Sequence, residues 1–192
     1  MDDFNDSDIK IANGITEKHV DEEIDAIAVI EEAKRQHFNG NSAKAKQIGR
    51  NIVSAFSYKC APEELLSLFK KYGIAPTDRI MMQAKILSVF AAEYSLEHFM
   101  PSQYLSVMAV DAMYDIMRET ESKFFDELVR SSAFSFYYLC EEENGDISVN
   151  VGRQFAFLCG DRDSDTLSEL GKELFDINSF IFKRAVNSYV FV

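Results

Sequence analysis

The chain has 192 residues, of which 32 are acidic and 20 are basic, so its formal net charge is −12 at pH 7. Proteins bind nucleic acids and anionic lipid surfaces by neutralising phosphates with Lys and Arg, so this charge argues against both partners. The first residues, "MDDFNDSDIK", lack the basic and then apolar layout of a signal peptide, and no apolar run approaches the length of a membrane span. We therefore expect a cytoplasmic protein that binds neither nucleic acid nor membrane.

Residues that break regular structure are scarce, with three Pro and eight Gly against an apolar content of 47%. Long uninterrupted segments favour helices, because a sandwich of short strands needs a turn roughly every 8–12 residues. We predict an all-α fold, a single-domain bundle of about six to eight helices over residues 16–192. An acidic, aperiodic stretch at residues 1–15 is expected to form a flexible N-terminal arm.

Apolar periodicity and capping residues predict four helices in the first part of the chain, from Thr16 to about Phe38, from Ser42 to about Tyr58, from Pro62 to a C-cap at Gly73, and from Thr77 onward. The helix that begins at Thr77 carries two apolar strips, which predicts a central position. Pro101 marks the start of the next helix, and residues 77–118 are expected to supply the central pair.

In the second half of the chain we predict one helix from about Ser122 to Glu143 and a last helix from about Asp165 to near Tyr189. Between them, residues 146–151 read as a short irregular or strand-like segment. The stretch "VGRQFAFLC" fits a helix or a strand equally well. The apolar end, "YVFV", is expected to pack on the body of the protein or on a second subunit.

Three aspartates alternate before the last helix, at Asp161, Asp163 and Asp165. Their spacing matches the start of an EF-hand calcium loop, but Thr166 and Lys172 occupy the positions that require Gly and Glu. The stretch is better explained as a helix start, either as a capping box of Thr166 and Glu169 or with Ser164 as a cap one turn earlier. We expect these aspartates to face water.

A second aspartate pair, Asp111 and Asp115, is spaced to lie on one side of a helix. With Asp161 and Asp165 it gives two D-x-x-x-D patterns, whose four carboxylates are the candidate metal ligands of this chain. The stretch "VGRQFAFLCGDRDSD" resembles the one that leads into the second aspartate motif of the squalene and phytoene synthases. That resemblance implies an all-helical Mg²⁺-dependent enzyme acting on diphosphates. The chain departs from that family in its short length, in a second pattern that precedes its helix, and in the absence of an evident basic cluster.

Signatures of catalysis are missing elsewhere in the chain. Three cysteines (Cys60, Cys140 and Cys159) lack metal-ligand spacing, and no nucleophile elbow, P-loop or dinucleotide-binding motif occurs. We therefore expect no cofactor, and the sequence favours a non-catalytic protein over an enzyme without deciding between them.

Three functional hypotheses remain open at this stage. The leading one is a non-catalytic interaction or regulatory module that forms a homo-oligomer or binds an unknown protein partner. The alternative is a small-molecule or lipid-binding protein, which requires a cavity of at least ~300 Å³ between the helices of residues 80–140. The Mg²⁺-dependent enzyme is the third. A basic island of Lys44, Lys46, Arg50 and Lys59 is read as a solvated helix face, with docking on an acidic face as the other possibility.

Overall fold

The computed structural model describes residues 28–192, and over that range the chain forms ten helices and no strand. The helices are α1 (28–38), α2 (Asn41–Ser54), α3 (Ser57–Cys60), α4 (Pro62–Lys71), α5 (Asp78–Phe99), α6 (Gln103–Thr120), α7 (Ser122–Arg130), α8 (Ala133–Glu142), α9 (Ile147–Cys159) and α10 (Asp165–Asn187). The all-α prediction is confirmed. The expected arm at 1–15 and the expected helix start at Thr16 lie outside the described residues.

The helix count exceeds the expected six to eight because two predicted helices are divided. The helix predicted from Ser122 to Glu143 breaks at Ser131, whose backbone is extended and whose Oγ accepts a hydrogen bond from the Ala133 N–H at 3.1 Å. Serine hydroxyls compete in this way with the hydrogen bonds of a helix. The helix predicted from Ser42 to Tyr58 ends at Ser54, and α3 follows after the fully buried Phe56.

The prediction of a strand-like segment at 146–151 is wrong. Asp146 is the N-cap of α9, and its carboxylate accepts a hydrogen bond from the Ser148 N–H at 2.9 Å. An N-cap of this kind satisfies N–H groups that would otherwise lack a partner, so it offsets the strand preference of Ile147 and Val149. The ambiguous "VGRQFAFLC" stretch belongs to the same helix.

Local capping was predicted correctly at most helix starts. Thr77 caps α5 by accepting from the Ile80 N–H. At α10 the cap is Ser164, which accepts from the Leu167 N–H at 3.2 Å. The capping box of Thr166 and Glu169 was therefore the wrong choice, and the alternative one turn earlier is confirmed.

Helix α5 is central as predicted, with a buried stretch that runs from Ile86 to Ala92 without interruption. Its main partner, however, is α10, and α6 packs chiefly on α2. The expectation that residues 77–118 form the central pair is thus wrong for the second helix. The buried apolar side chains of all these helices join in one hydrophobic cluster.

Three glycines inside helices explain the closest helix contacts. A Cβ at Gly49 of α2 would overlap the carbonyl oxygen of Ala109 on α6. Between α9 and α10, a Cβ at Gly152 would overlap the carbonyl of Ser168, and one at Gly171 would overlap the side chain of Phe155. These two helix pairs therefore pack backbone against backbone at points where only glycine fits.

The end of the chain packs on the body of the protein. Tyr189 and Phe191 lie against the hydrophobic cluster, and the backbone of Val192 exchanges hydrogen bonds with the side chain of Asn41. The Lys44 ammonium donates to the Val190 carbonyl at 2.7 Å. In the described part of the chain, no helix combines the length and apolarity needed to cross a bilayer.

We expect Gly49→Ala to lower the free energy of unfolding by about 1–3 kcal/mol, since the added methyl group forces α2 away from α6. At an unhindered helix position a Gly→Ala substitution raises the free energy of unfolding by roughly 0.5–1 kcal/mol. A decrease at Gly49 would therefore indicate the close contact with α6. Urea unfolding followed by circular dichroism measures it. Arg50→Ala, at the exposed neighbouring residue, is the control. Unchanged or increased stability of Gly49→Ala would contradict this packing.

Candidate functional site

Two adjoining concavities of about 380 and 510 Å³ lie where α8, α9 and the start of α5 meet. Both are lined by Phe136, Phe157 and Arg162. Arg153 completes the first and Arg79 the second. We call this surface the arginine–aromatic cleft and define it by these five residues.

The two phenylalanines of the cleft are exposed although neighbouring residues on their helices are buried. Phe136 on α8 is 36% exposed and Phe157 on α9 is 41% exposed. Their ring centroids are 5.8 Å apart in an edge-to-face arrangement. The adjacent Tyr137 and Ala156 face the core and are fully buried. The rings thus form an apolar platform at the surface.

Arg79 is held in place by the end of α9. Its Nε donates a hydrogen bond to the Leu158 carbonyl at 2.9 Å, which satisfies a carbonyl that the helix leaves without an internal partner. Its guanidinium lies against Gly160, where any Cβ would lie 2.7 Å from Nη1. Gly160 has a φ of 95°, a left-handed backbone conformation that favours glycine. One glycine therefore both ends α9 and makes room for Arg79.

Arg162 and Arg153 approach the platform from two sides. The guanidinium carbon of Arg162 lies 5.8 Å from the ring centroid of Phe157, within the range of a cation–π contact. Arg153 lies one turn before Phe157 on α9 and is exposed. Between them, Gln154 has a solvent-shielded Nε2 that makes no hydrogen bond. The exposed guanidinium groups of Arg153 and Arg162 are therefore the donors that the cleft offers to a ligand.

The lining of the cleft contains both arginines and carboxylates. None of the ion pairs among residues 28–192 involves Arg79, Arg153 or Arg162. Two carboxylates, Glu143 and Asp163, lie along the rim. In a protein of net charge −12, a lining of three arginines and two carboxylates is a local excess of positive charge. Guanidinium groups beside aromatic rings suit a ligand that carries carboxylate or phosphate groups.

The structure does not bring the four candidate metal ligands into one concavity. Asp111 and Asp115 line a separate groove between α6, α7 and α8, and Asp115 pairs with Arg118 at 3.0 Å. Asp161 and Asp165 are exposed at the loop and at the first turn of α10, and neither lines that groove. The geometry gives no support to a site shared by all four carboxylates.

A different group of side chains is arranged as a possible metal site. Glu97, His98 and Glu141 have ligand atoms that all lie within 4.8 Å of one another. No other group of this kind occurs among the described residues. The sequence analysis did not identify it, because its members come from two helices that are distant in the chain.

Two of the three cysteines are unsuited to nucleophilic chemistry. Burial raises the pKa of the Cys140 thiol to about 11 and that of the Cys159 thiol to about 12. Since the thiolate is the nucleophile, such thiols are unreactive near neutral pH. Cys60 is exposed, and its Sγ lies 3.4 Å from the carbonyl oxygen of Ala55.

Two residues of the basic island make contacts within the protein, and two are exposed to solvent. Lys59 forms an ion pair with Glu121, and Lys44 binds the carbonyl of Val190 as described above. Lys46 and Arg50 are exposed. Within the same protein, contact with an acidic side chain thus applies to Lys59, whereas Lys44 binds a backbone carbonyl.

Comparison of the chain with protein-family models, curated proteins and solved structures found no match. The function must therefore be argued from the geometry of the chain itself.

Proposed function

We propose that the protein is a non-catalytic binding module whose arginine–aromatic cleft takes an acidic segment of a partner protein. The observation that carries the proposal is the cleft itself, in which three arginines without carboxylate partners surround two exposed rings. Arg79, Arg153 and Arg162 supply the charge, and Phe136 and Phe157 supply an apolar contact.

The shape and charge of the cleft favour a short peptide segment over other anions. The two concavities adjoin and are open to solvent, so an extended chain can lie across both. A long polyanion such as a nucleic acid would be repelled by the remaining surface, because the net charge of the protein is −12. A short acidic segment would contact the arginines of the cleft without extending over the rest of the negatively charged surface. An aromatic residue in that segment would pack against the rings.

The chain contains one segment of this chemistry. Residues 1–8, "MDDFNDSD", carry four aspartates and Phe4. The partner that we propose is therefore a second copy of this chain, bound through its acidic N-terminal segment. Binding of the N-terminal segment in the cleft would be the contact through which the protein self-associates. Because this contact joins opposite charges, two copies with the same net charge would attract one another there.

We expect a fluorescent peptide of residues 1–10 to bind the protein in an anisotropy titration, and binding to weaken as salt is raised because the contact is ionic. The double variant Arg153→Glu, Arg162→Glu should weaken binding about tenfold or more, since each exposed ion pair contributes up to ~1 kcal/mol and is replaced by a repulsion. Arg130→Glu, an exposed arginine on α7, is the matched control.

Two further peptides make this titration decisive. The same peptide with all aspartates changed to Asn should bind weakly, and equal binding of both would remove the electrostatic argument. An unrelated peptide of alternating Asp and Phe tests the cleft independently. If neither acidic peptide binds, the proposed function is wrong. If only the unrelated peptide binds, a second copy is not the partner.

Self-association is tested on the whole chain by size-exclusion chromatography with light scattering. We expect a mass above that of one chain at high protein concentration. Deletion of residues 1–15 and the double variant Arg153→Glu, Arg162→Glu should each give a monomer. A full-length chain that stays monomeric at all concentrations would exclude the second copy as partner, whereas association that survives both changes would place the interface elsewhere.

The groove between α6, α7 and α8 favours a second candidate function, the binding of a small cationic ligand. Its volume of about 630 Å³ exceeds the ~300 Å³ at which ligand pockets begin. Aromatic side chains line it beside the carboxylates of Asp111 and Asp115. The Arg118 guanidinium shows how a cation is held there, since it lies 5.0 Å from the Phe125 ring centroid and pairs with Asp115.

We expect phenethylamine to raise the thermal midpoint of the wild-type protein and to have a smaller effect on Asp111→Asn, because the amine loses its carboxylate partner. Phenylethanol, a neutral molecule of similar shape, is the control ligand. Equal shifts from the amine and the alcohol, or equal shifts in both proteins, would exclude a cation site in this groove.

A further inference from the structure

The last turn of α5 and the end of α8 bring three potential metal ligands together. Glu97 and His98 come from α5, and Glu141 comes from α8. Their ligand atoms lie within 4.8 Å of one another. Small side-chain rotations would therefore bring each ligand atom to ~2.0–2.2 Å from a common zinc ion, the bond length that zinc requires. All three side chains are exposed, which leaves room for water to complete the coordination.

One ring nitrogen of His98 is held by the backbone of its own helix. Its Nδ1 lies 2.8 Å from the carbonyl oxygen of Tyr94. A carbonyl oxygen only accepts hydrogen bonds, so Nδ1 is the donor in this contact, which assigns the lone pair of a neutral imidazole to Nε2. The imidazole also stacks on the Tyr94 ring, with centroids 4.0 Å apart. A hydrogen bond from the second ring nitrogen to a backbone carbonyl is the usual support of a histidine that binds metal.

The surroundings of these ligands have an excess of negative charge. Glu93, one turn before Glu97, accepts a hydrogen bond from the Tyr114 hydroxyl. Glu97 lies near the carboxylates of Glu93 and Glu141, so their negative charges repel one another. None of the ion pairs in the described part of the chain involves these three glutamates. A bound cation would relieve their mutual repulsion.

We propose that Glu97, His98 and Glu141 form a binding site for a divalent transition-metal ion of the zinc class. An imidazole nitrogen together with two carboxylates is a donor set that such ions accept, whereas Mg²⁺ and Ca²⁺ prefer oxygen ligands throughout. The ion joins α5 to α8 and thereby fixes the end of the shorter helix. Glu93 adds negative charge beside this site, and its carboxylate is held by the Tyr114 hydroxyl.

Titration calorimetry of the tag-free full chain with ZnCl₂ tests the site. We expect one ion per chain. His98→Gln and Glu141→Gln should each weaken binding at least about tenfold, since each removes one of three protein ligands, and loss of even a supporting group costs about 10–100-fold. Glu142→Gln changes the neighbouring glutamate outside the group and should bind as the wild type does. Cys60→Ser controls for zinc held by the exposed thiol.

Two additional readouts separate a ligand role from a structural one. Zinc should raise the thermal midpoint of the wild type but not of His98→Gln, while both proteins melt alike without metal. Co²⁺ should give visible absorption bands that report nitrogen and oxygen ligands, and MgCl₂ should bind much more weakly than ZnCl₂. Absence of zinc binding, or zinc binding that His98→Gln and Glu141→Gln leave unchanged, would overturn the proposal.

Discussion

The close approach of α9 to α10 is the contact on which the candidate site depends. It is possible because Gly152 and Gly171 present no side chain at the crossing. This approach sets the rotation of α9 about its axis, with Phe155 buried against Gly171. Since side chains around a helix are separated by fixed angles, Phe157 and Arg153 then face outward. Of the five residues of the cleft, Phe157 and Arg153 are thus placed by a contact on another face of the same helix.

The short helix α8 contributes a residue to each of the two proposed sites. Phe136, in its first half, belongs to the arginine–aromatic cleft, and Glu141, near its end, faces Glu97 and His98. The arginines of the cleft come from other elements, and Glu143, just after the end of α8, also lines the cleft. The two proposed sites differ in the charge of the groups that the neighbouring elements bring to α8. The same helix supports both sites, so its packing against α5 and α9 affects both.

Features set by neighbouring residues could be predicted from the sequence, and most of those predictions are confirmed. The cap at Thr77 and the start of α4 at Pro62 depend on hydrogen bonds and backbone angles within a few residues. The break at Ser131 and the helix at residues 147–159 were missed, because serine and aspartate side chains there outweigh the apolar pattern. The partner of α6 was also missed, since the overlap of Gly49 with Ala109 joins distant parts of the chain.

By itself the sequence determined the all-α class, the acidic charge and most helix ends, because these depend on composition and on interactions within one or two turns. The alternating aspartates Asp161, Asp163 and Asp165 were its most conspicuous chemical pattern, and they flank the capped start of α10. Only the tertiary structure decided which charged groups meet. Arg79 reaches the end of α9, and Glu141 reaches His98, across long separations in the chain. Such contacts arise from helix packing, which no local pattern of residues specifies.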